Sequence, residues 1–497
     1  MGMTNASIDK DDKSELTWMG VPNLQYYKEY FEEEYIRQTV EYYDHESEKW
    51  VNSMSCPEYV KVASDALKKE EEKVVNFLDK DTRPKLLSQL NEKVVTHHAQ
   101  RLTEMDKTGV TEMLTNKRVD ELKHLYQLLS RVPTTQQYVI EKLKPYIVNR
   151  GEGLKKDKDV TGDPVKYMTL LVELKKEMDT LMQDSFAGEE RFIRTNDLAF
   201  QDIMDAFDRS PQYLAYYIDF IMTKGLRGKE AEMEPIVDNA FGLFKLLKPK
   251  DAFTEHHKAL YAVRLLQHTT ISDAAEELLI SKMKIELGAQ NVSKYVQMSS
   301  DMKNSRDVTE SFKKQHHKGS IKGIELSAKV LTSGLWGSEQ NEVCKMPEEL
   351  QDCYKTFETY YKQIHAGRNL ILNAGLGDCE VKANSFAKPY TFILTVYQTS
   401  VLCLFNHKDI YTFKELCEAT KMNGDVLSKQ IFNLVNPKMG KLLIKANLKT
   451  PSFTADETVT LNSAFSSASL RLSLIPAPPK KVIRNIQKNR VGREEAG

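Results

Sequence analysis

The sequence predicts a mainly α-helical protein whose last third changes to an α/β pattern. Only 22 of its 497 residues are Gly, whereas Leu, Lys, Glu and Met are common, a composition that favours helices. Over most of the chain, apolar residues recur at spacings of three and four, which places them on one face of a helix. From Gly323 onward, apolar residues alternate with other residues instead, which is typical of half-buried strands.

The overall composition excludes several classes of protein. The 70 basic and 71 acidic residues nearly cancel, so the chain is not a globally basic nucleic-acid binder. No apolar run approaches the roughly 18 residues of a membrane span, and the polar N-terminus predicts no secretory signal. The six cysteines lie far apart without a CxxC pair. We therefore expect reduced thiols in a cytoplasmic and/or nuclear protein.

Helix boundaries in the first part of the chain are marked by capping residues. The pattern predicts helix starts at Asp163-Pro164, Ser210-Pro211 and Ser272-Asp273, and helix ends at Gly225 and Gly288. After the first of these starts, one apolar stripe recurs at helical spacing, formed by Tyr167, Leu171, Leu174, Met178 and Leu181. Long amphipathic helices joined by short loops predict stacked helical repeats or bundles.

The last third predicts strands interleaved with helices. Alternation predicts strands at 324–332 and 390–396, at Leu442 to Leu448 and around Val459 and Leu461, and a helix covers 349–365. Residues Tyr411 to Leu448 follow the order helix, turn, helix, strand, which is a winged-helix pattern. Its second helix, Asp425 to Val435, has Lys429 as its single basic residue. This favours a structural winged helix over one that binds DNA.

No motif for catalysis, cofactors or metal ions stands out. The sequence has no GxSxG, HExxH, Walker or GxGxxG pattern. Three pairs of adjacent histidines, at 97/98, 256/257 and 316/317, have no Cys or third His nearby, and neighbouring residues of a helix point in different directions. We expect a scaffold or binding protein without its own active site, cofactor or metal.

Six segments between residues 251 and 406 are similar, in the same order, to motifs of one protein family. They are DAF (251–253) with LYAVRLL (260–266), SDAAE (272–276) with ISKMK (280–284), SKY to DM (293–302), VLTSGLW (330–336), HAGRNL (365–370) and the apolar run 398–406. Together they resemble the cullin family, the scaffold subunits of RING-type ubiquitin ligases. The segment RSPQYL (209–214) is most similar to the third cullin subtype, which pairs with BTB-domain adaptors.

The resemblance implies a division of the chain into domains. The expected segments are a disordered N-terminus (1–20), two cullin-type helical repeats (21–132 and 133–209), a helical bundle (210–320), an α/β cullin-homology region (321–478) containing a winged helix (408–450), and a basic tail (479–497).

The resemblance also implies a function. A RING-box protein would add a strand to the α/β sheet, expected from strands at 324–332, 369–372, 379–383 and 390–396, and would bring a ubiquitin-conjugating enzyme with it. The chain itself would be a non-catalytic scaffold supporting ubiquitin-dependent degradation. The candidate RING-docking residues are Val330, Leu331, Thr332, Gly334, Trp336, His365, Gly367 and Arg368.

The two ends depart from the family pattern. The first family repeat, which carries the adaptor surface, is replaced by some twenty mostly polar residues, so a BTB-type adaptor stays an open partner. Residues Val482 to Lys488 echo the segment that receives the ubiquitin-like modifier, but only nine residues follow, which disfavours Lys488 as the attachment site. Two alternatives stay open: a truncated regulatory decoy that sequesters RING-box protein, and a winged-helix nucleic-acid binder.

Overall fold

A computed structural model of the chain describes residues 24–315, 320–321, 323–336, 342–436, 441–445 and 453–475. The chain forms two compact units, Met1–Ser293 and Lys294–Gly497. The predicted disordered N-terminus and basic tail, including Lys488, lie outside the described residues.

The first unit is helical throughout its described part. Its α-helices are α1 (Gln25–Tyr27), α2 (Glu33–Ser53), α3 (Cys56–Phe77), α4 (Thr82–Asn91), α5 (His97–Glu104), α6 (Val110–Thr115), α7 (Val119–Leu129), α8 (Gln136–Lys156), α9 (Lys158–Thr161), α10 (Pro164–Phe186), α11 (Glu190–Asp205), α12 (Ser210–Phe220), α13 (Met233–Leu246), α14 (Lys250–Gln267) and α15 (Asp273–Leu287). Short π-helical segments cover Lys28–Glu32, Glu92–Thr96 and Ile221–Gly225, and 3-10 turns cover Pro133–Thr135 and Glu230–Glu232.

The three predicted helix starts are confirmed, and the caps at Asp163 and Ser272 are present, but α12 begins at Ser210 without a side-chain cap. The Asp163 carboxylate accepts the amides of Val165 and Lys166, and Pro164 occupies the first helical position of α10. Ser272 caps α15 in the same way, and Gly288 ends it at φ +82°. Helix α12 continues through the π-helical segment Ile221–Gly225, so its end at Gly225 also agrees with the prediction. The five residues of the predicted α10 stripe are all buried.

A buried ionic cluster joins three helices of the first unit. The Arg264 guanidinium on α14 donates to both carboxylate oxygens of Glu276 on α15, at 2.8 and 3.0 Å, and to Asp219 on α12 at 2.7 Å. Arg264 is only 1% exposed and Glu276 is 4% exposed. Because a buried charge is costly unless it is paired and hydrogen-bonded, these bonds fix how α12, α14 and α15 pack.

In its described residues, the second unit combines helices with three small sheets. Its elements are α16 (Ala289–Gln315, which begins just before the boundary), β1 (Ser320–Ile321), β2 (Ile324–Glu325), α17 (Glu348–Ile364), β3 (Asp378–Ala383), β4 (Tyr390–Thr395), α18 (Val396–Leu404), β5 (Ile410–Thr412), α19 (Phe413–Thr420), α20 (Gly424–Val435), β6 (Leu443–Lys445), β7 (Thr458–Leu461) and β8 (Arg471–Ser473).

The second sheet only partly matches the sheet expected from sequence. Strand β4 lies centrally, antiparallel to β3 (Cys379 opposite Leu394) and parallel to β8 (Phe392 opposite Leu472). The predicted strands 379–383 and 390–396 are therefore confirmed. The predicted strands 324–332 and 369–372 are wrong: of the first, only Ile324–Glu325 is a strand, paired with Ser320–Ile321, and the second joins no sheet of the described residues.

The predicted winged-helix order is present. Thr412 caps α19, Asn423 caps α20, and β6 follows. The third sheet has the order β5-β7-β6, so the wing closes through β7, beyond the predicted limit at residue 450. The part of the predicted strand after Lys445 lies outside the described residues. Helix α20 turns Leu427, Ile431, Leu434 and Val435 into the core.

We expect His257 to make the first unit less stable in mild acid. Burial, and then the nearby Arg264, hold the pKa of His257 well below its ordinary value of 6.5. Its ring stacks between Phe253 (5.3 Å) and Tyr261 (6.3 Å). Below pH 6.5, His257 therefore binds a proton in the unfolded chain but stays neutral in the folded chain. Because the unfolded state takes up this extra proton, the free energy of unfolding falls by up to about 1.4 kcal/mol for each unit by which the pH is lowered.

The measurement is urea unfolding between pH 7.5 and 5.5, in the unmodified chain and in His257→Phe. The variant removes this proton uptake, so its unfolding free energy should depend less on pH. Asp219, whose pKa is raised by burial, contributes equally to both proteins and cancels in the comparison. Identical pH dependence in the two proteins would contradict the burial of a neutral His257.

Candidate strand-docking site

An extended segment, residues 326–332, runs along helix α16 and is bonded to it through side chains. The hydroxyl of Thr309 accepts the Ala328 amide at 3.3 Å and lies 2.9 Å from the Ala328 carbonyl. The hydroxyl of Ser305 accepts the Val330 amide at 2.8 Å, and its proton is shared between the carbonyls of Asp301 at 2.6 Å and Val330 at 3.0 Å. A hydroxyl can both donate and accept, so each one takes the place of the backbone of a neighbouring strand.

The bonding repeats because helix and strand share a spacing. Four residues of an α-helix rise about 6.0 Å, and two residues of a strand rise about 6.6 Å. Residues 301, 305 and 309 of α16 therefore face residues 332, 330 and 328, in opposite chain directions. We call the side chains of Asp301, Ser305 and Thr309 the polar ladder.

Asp301 ends the polar ladder and shapes the turn that follows. Its carboxylate accepts the Thr332 amide at 2.8 Å, the Thr332 hydroxyl at 2.9 Å and the Trp336 indole N–H at 3.1 Å. A fourth bond comes from Gln297 at 2.9 Å. Asp301 is 5% exposed, and these four donors replace the water it loses. Gly334, at φ +78°, supplies the left-handed backbone that the turn needs.

The side chains of the extended segment alternate between core and solvent. Leu326, Ala328 and Val330 pack against an aromatic cluster formed by Phe312, Phe357, Tyr360 and Tyr361. Ser327 and Lys329 are exposed. In a strand, alternate backbone groups point to opposite edges. Since Ala328, Val330 and Thr332 point their backbone groups at α16, those of Ser327, Lys329 and Leu331 point away from it.

The aromatic cluster also carries the end of α17. The His365 amide bonds to the Tyr361 carbonyl at 2.9 Å, and the His365 ring lies 4.6 Å from the Tyr361 ring. Gly367, at φ +81°, and Arg368 then turn the chain. Leu370 packs on the cluster, and its carbonyl accepts the Tyr354 hydroxyl at 3.2 Å.

The structure thus places the eight predicted docking residues in two groups. Val330, Leu331, Thr332, Gly334 and Trp336 lie in and after the extended segment, and His365, Gly367 and Arg368 lie in the turn after α17. The aromatic cluster connects the groups, since Val330 packs on it and His365 contacts its Tyr361. Sequence reasoning missed the polar ladder. Its signal was three small polar residues spaced by four along a helix face that is otherwise apolar.

The described part of the chain offers little support for a metal site, a reactive thiol or a membrane span. Its residues hold no group of three or more His, Cys, Asp or Glu side chains that could bind a metal ion. The six cysteines are free thiols, and burial raises the pKa of Cys56 to about 12. Within the same residues, no helix has both the length and the apolar character of a membrane span.

Family models match both units of the fold. The Cullin alpha solenoid domain matches residues 3–309, and the Cullin alpha+beta domain matches residues 330–465. The chain belongs to the cullin family. Three relatives are Cullin-3 of Dictyostelium discoideum (33% identical over 439 residues, 88% of this chain) and Cullin-3A and Cullin-3B of Arabidopsis thaliana (31% and 30% over 444 residues, 89% of this chain).

This confirms the resemblance to cullins and, within them, to Cullin-3. The cullin chain spans 57% of the length of the first relative and 60% of that of the other two. The motifs that carried the resemblance have structural roles here. Arg264 and Glu276 form the buried ionic cluster, and VLTSGLW (330–336) is the segment organised by Asp301.

We expect Trp336→Ala to destabilise the second unit by about 3–5 kcal/mol. Trp336 is 8% exposed, so the change leaves a cavity and also removes one donor from the buried Asp301. Urea unfolding followed by circular dichroism measures the loss. Val343→Ala is the control, because Val343 is 71% exposed and should change stability by less than about 0.5 kcal/mol. A loss of about 1 kcal/mol or less for Trp336→Ala would contradict its role.

Proposed function

We propose that this cullin is a non-catalytic scaffold of a ubiquitin ligase, and that it binds a RING-box protein by strand addition to segment 326–332. Through the RING-box protein it would recruit a ubiquitin-conjugating enzyme and support ubiquitin-dependent degradation. Membership of the cullin family supports the scaffold role. The docking position is supported by the geometry of the extended segment.

One observation carries the docking position. Segment 326–332 is extended like a strand, and the backbone groups of Ala328, Val330 and Thr332 along one of its edges bond to side chains of α16. Within the described residues, neither Ser327 nor Leu331 belongs to a sheet or bonds to another backbone. Backbone N–H and C=O groups at such an edge are completed by a guest strand.

The surroundings favour a guest with alternating side chains. The inward face of the segment lies on the aromatic cluster, next to Leu370. Ile371 nearby in sequence is 79% exposed and Ile364 is 46% exposed, which is unusual for large apolar side chains. A guest strand that turns apolar residues toward the cluster would cover such surface, while its backbone supplies the bonds.

A scaffold acts by holding partners together. Tethering two partners on one chain raises their effective concentration without any new contact between them. For this cullin, a RING-box protein on the second unit would be one partner. The kinship with Cullin-3 makes a BTB-type adaptor the candidate for the other.

The first test is co-expression with a RING-box protein, comparing the complete chain with a chain that ends before Gly323. We expect stable co-purification that requires the region from Gly323 onward. Ubiquitin-chain formation with added ubiquitin-conjugating enzyme then separates a ligase scaffold from a decoy that only sequesters the partner. No co-purification with a folded complete chain would refute the docking proposal.

The sharper test is Ser327→Pro. Proline removes the amide that would donate to the guest strand, yet it is tolerated in extended backbone at an edge. We expect affinity for the RING-box protein to fall about tenfold or more, with an unchanged circular dichroism spectrum. Ser327→Ala is the matched control, since it loses the same hydroxyl but keeps the amide, and it should bind like the unmodified chain. Equal binding by both variants would place the guest elsewhere.

A further inference from the structure

We propose that Asp301, Ser305 and Thr309 are positioning residues that set the register of segment 326–332, and through it the register of the guest strand. The inference rests on the proposed strand docking. It adds that the docking edge is fixed in advance by the polar ladder of α16, rather than being shaped by the partner.

The apolar pattern by itself does not fix this register. Ile324, Leu326, Ala328 and Val330 alternate without a break, so a shift of the segment by two residues would again turn apolar side chains inward. Such a shift moves the segment by about 6.6 Å along α16. Packing on the aromatic cluster therefore permits more than one arrangement.

The polar ladder breaks this degeneracy because its members differ chemically. Ser305 and Thr309 present one hydroxyl each, whereas Asp301 presents two acceptor oxygens. Thr332 uses both oxygens, through its amide and its hydroxyl, and Trp336 donates to one of them. A shift by two residues would bring Val330 or Gly334 to Asp301, and neither has a hydroxyl. It would also leave the Trp336 N–H buried without its acceptor. The observed register is the one that satisfies all three side chains.

A fixed register has a consequence at the other edge. In this arrangement the backbone groups of Ser327 and Leu331 face away from α16 at fixed positions along the helix, so a guest strand meets a preformed row of donors and acceptors. Preorganised partners bind more tightly, because less freedom is lost on association. The position of the guest strand along α16 is then set by the polar ladder before the partner binds.

Amide hydrogen exchange in the free chain tests the polar ladder without any partner. We expect slow exchange at Ala328, Val330 and Thr332 and fast exchange at Ser327 and Leu331. Addition of RING-box protein should slow Ser327 and Leu331. Uniformly fast exchange from 326 to 332 in the free chain would overturn the inference.

Variants of the polar ladder test its effect on docking. Thr309→Val keeps the shape and loses the hydroxyl, whereas Thr309→Ser keeps the hydroxyl. Ser305→Ala is matched by Ser311→Ala, an exposed serine of the same helix. We expect Ser305→Ala and Thr309→Val together to weaken RING-box binding about tenfold, while Thr309→Ser and Ser311→Ala bind normally.

A photo-crosslinker at Ser327 reports the register directly, because the guest residue that it labels changes when the segment shifts. We expect one labelled guest residue with the unmodified polar ladder and several with the double variant. Normal affinity and a single label in the double variant would overturn the inference while the proposed function stands. Absence of binding by the unmodified chain would overturn the proposed function itself, and with it the role in docking.

Discussion

The buried carboxylate of Asp301 is the constraint on which the candidate site depends. It joins α16 to the end of the extended segment and to Trp336, because it accepts hydrogen bonds from Gln297, Thr332 and Trp336. An ionised group at 5% exposure is stable only when donors replace its water. Asp301 therefore forces Thr332 and Trp336 to stay near α16, and the turn at Gly334 follows from that requirement.

The two units each contain a buried charged side chain, and they compensate its charge with different partners. Arg264 in the first unit is neutralised by the carboxylates of Glu276 and Asp219. Asp301 in the second unit is surrounded by uncharged N–H and O–H donors instead. Ion pairing locks helices to helices, whereas the uncharged donors come mainly from an irregular segment and its turn. Hydrogen bonds to a charged group are stronger than neutral ones, so a segment without sheet partners can still be held firmly.

The limits of sequence reasoning follow from the same arrangement. Capping residues such as Asp163 and Ser272 act on their own helix, so local sequence was enough to place α10 and α15. Alternation at 324–332 predicted a strand of the sheet, which is wrong beyond Glu325, although the segment is extended and has one buried face. Alternation indicates which face is buried, but it does not reveal what bonds to the edges. A segment bonded to helix hydroxyls at every fourth residue shows the same alternation of apolar residues as a segment bonded to a neighbouring strand. The strand β8 was missed because three residues are too few for a pattern.

Only half of the candidate site could be predicted from the sequence, for a related reason. The family signature drew attention to Trp336 and Gly334, whose roles are visible once Asp301 is placed beside them. The residues that hold them lie about thirty positions earlier and belong to another element. Periodicity assigns such residues to the buried face of α16 without saying which backbone they meet.

A strand held by a helix also differs from a sheet strand in what it offers a partner. A strand inside a sheet is bonded on both edges, and one at the rim of a sheet is open to any other edge strand. The extended segment is bonded on one side by side chains that reach out from α16, and its other side carries exposed Lys329. A charged side chain at that edge disfavours pairing with flat apolar strands. In the proposed docking, selectivity for the partner would come from the guest's own side chains on the aromatic cluster, and register would come from α16.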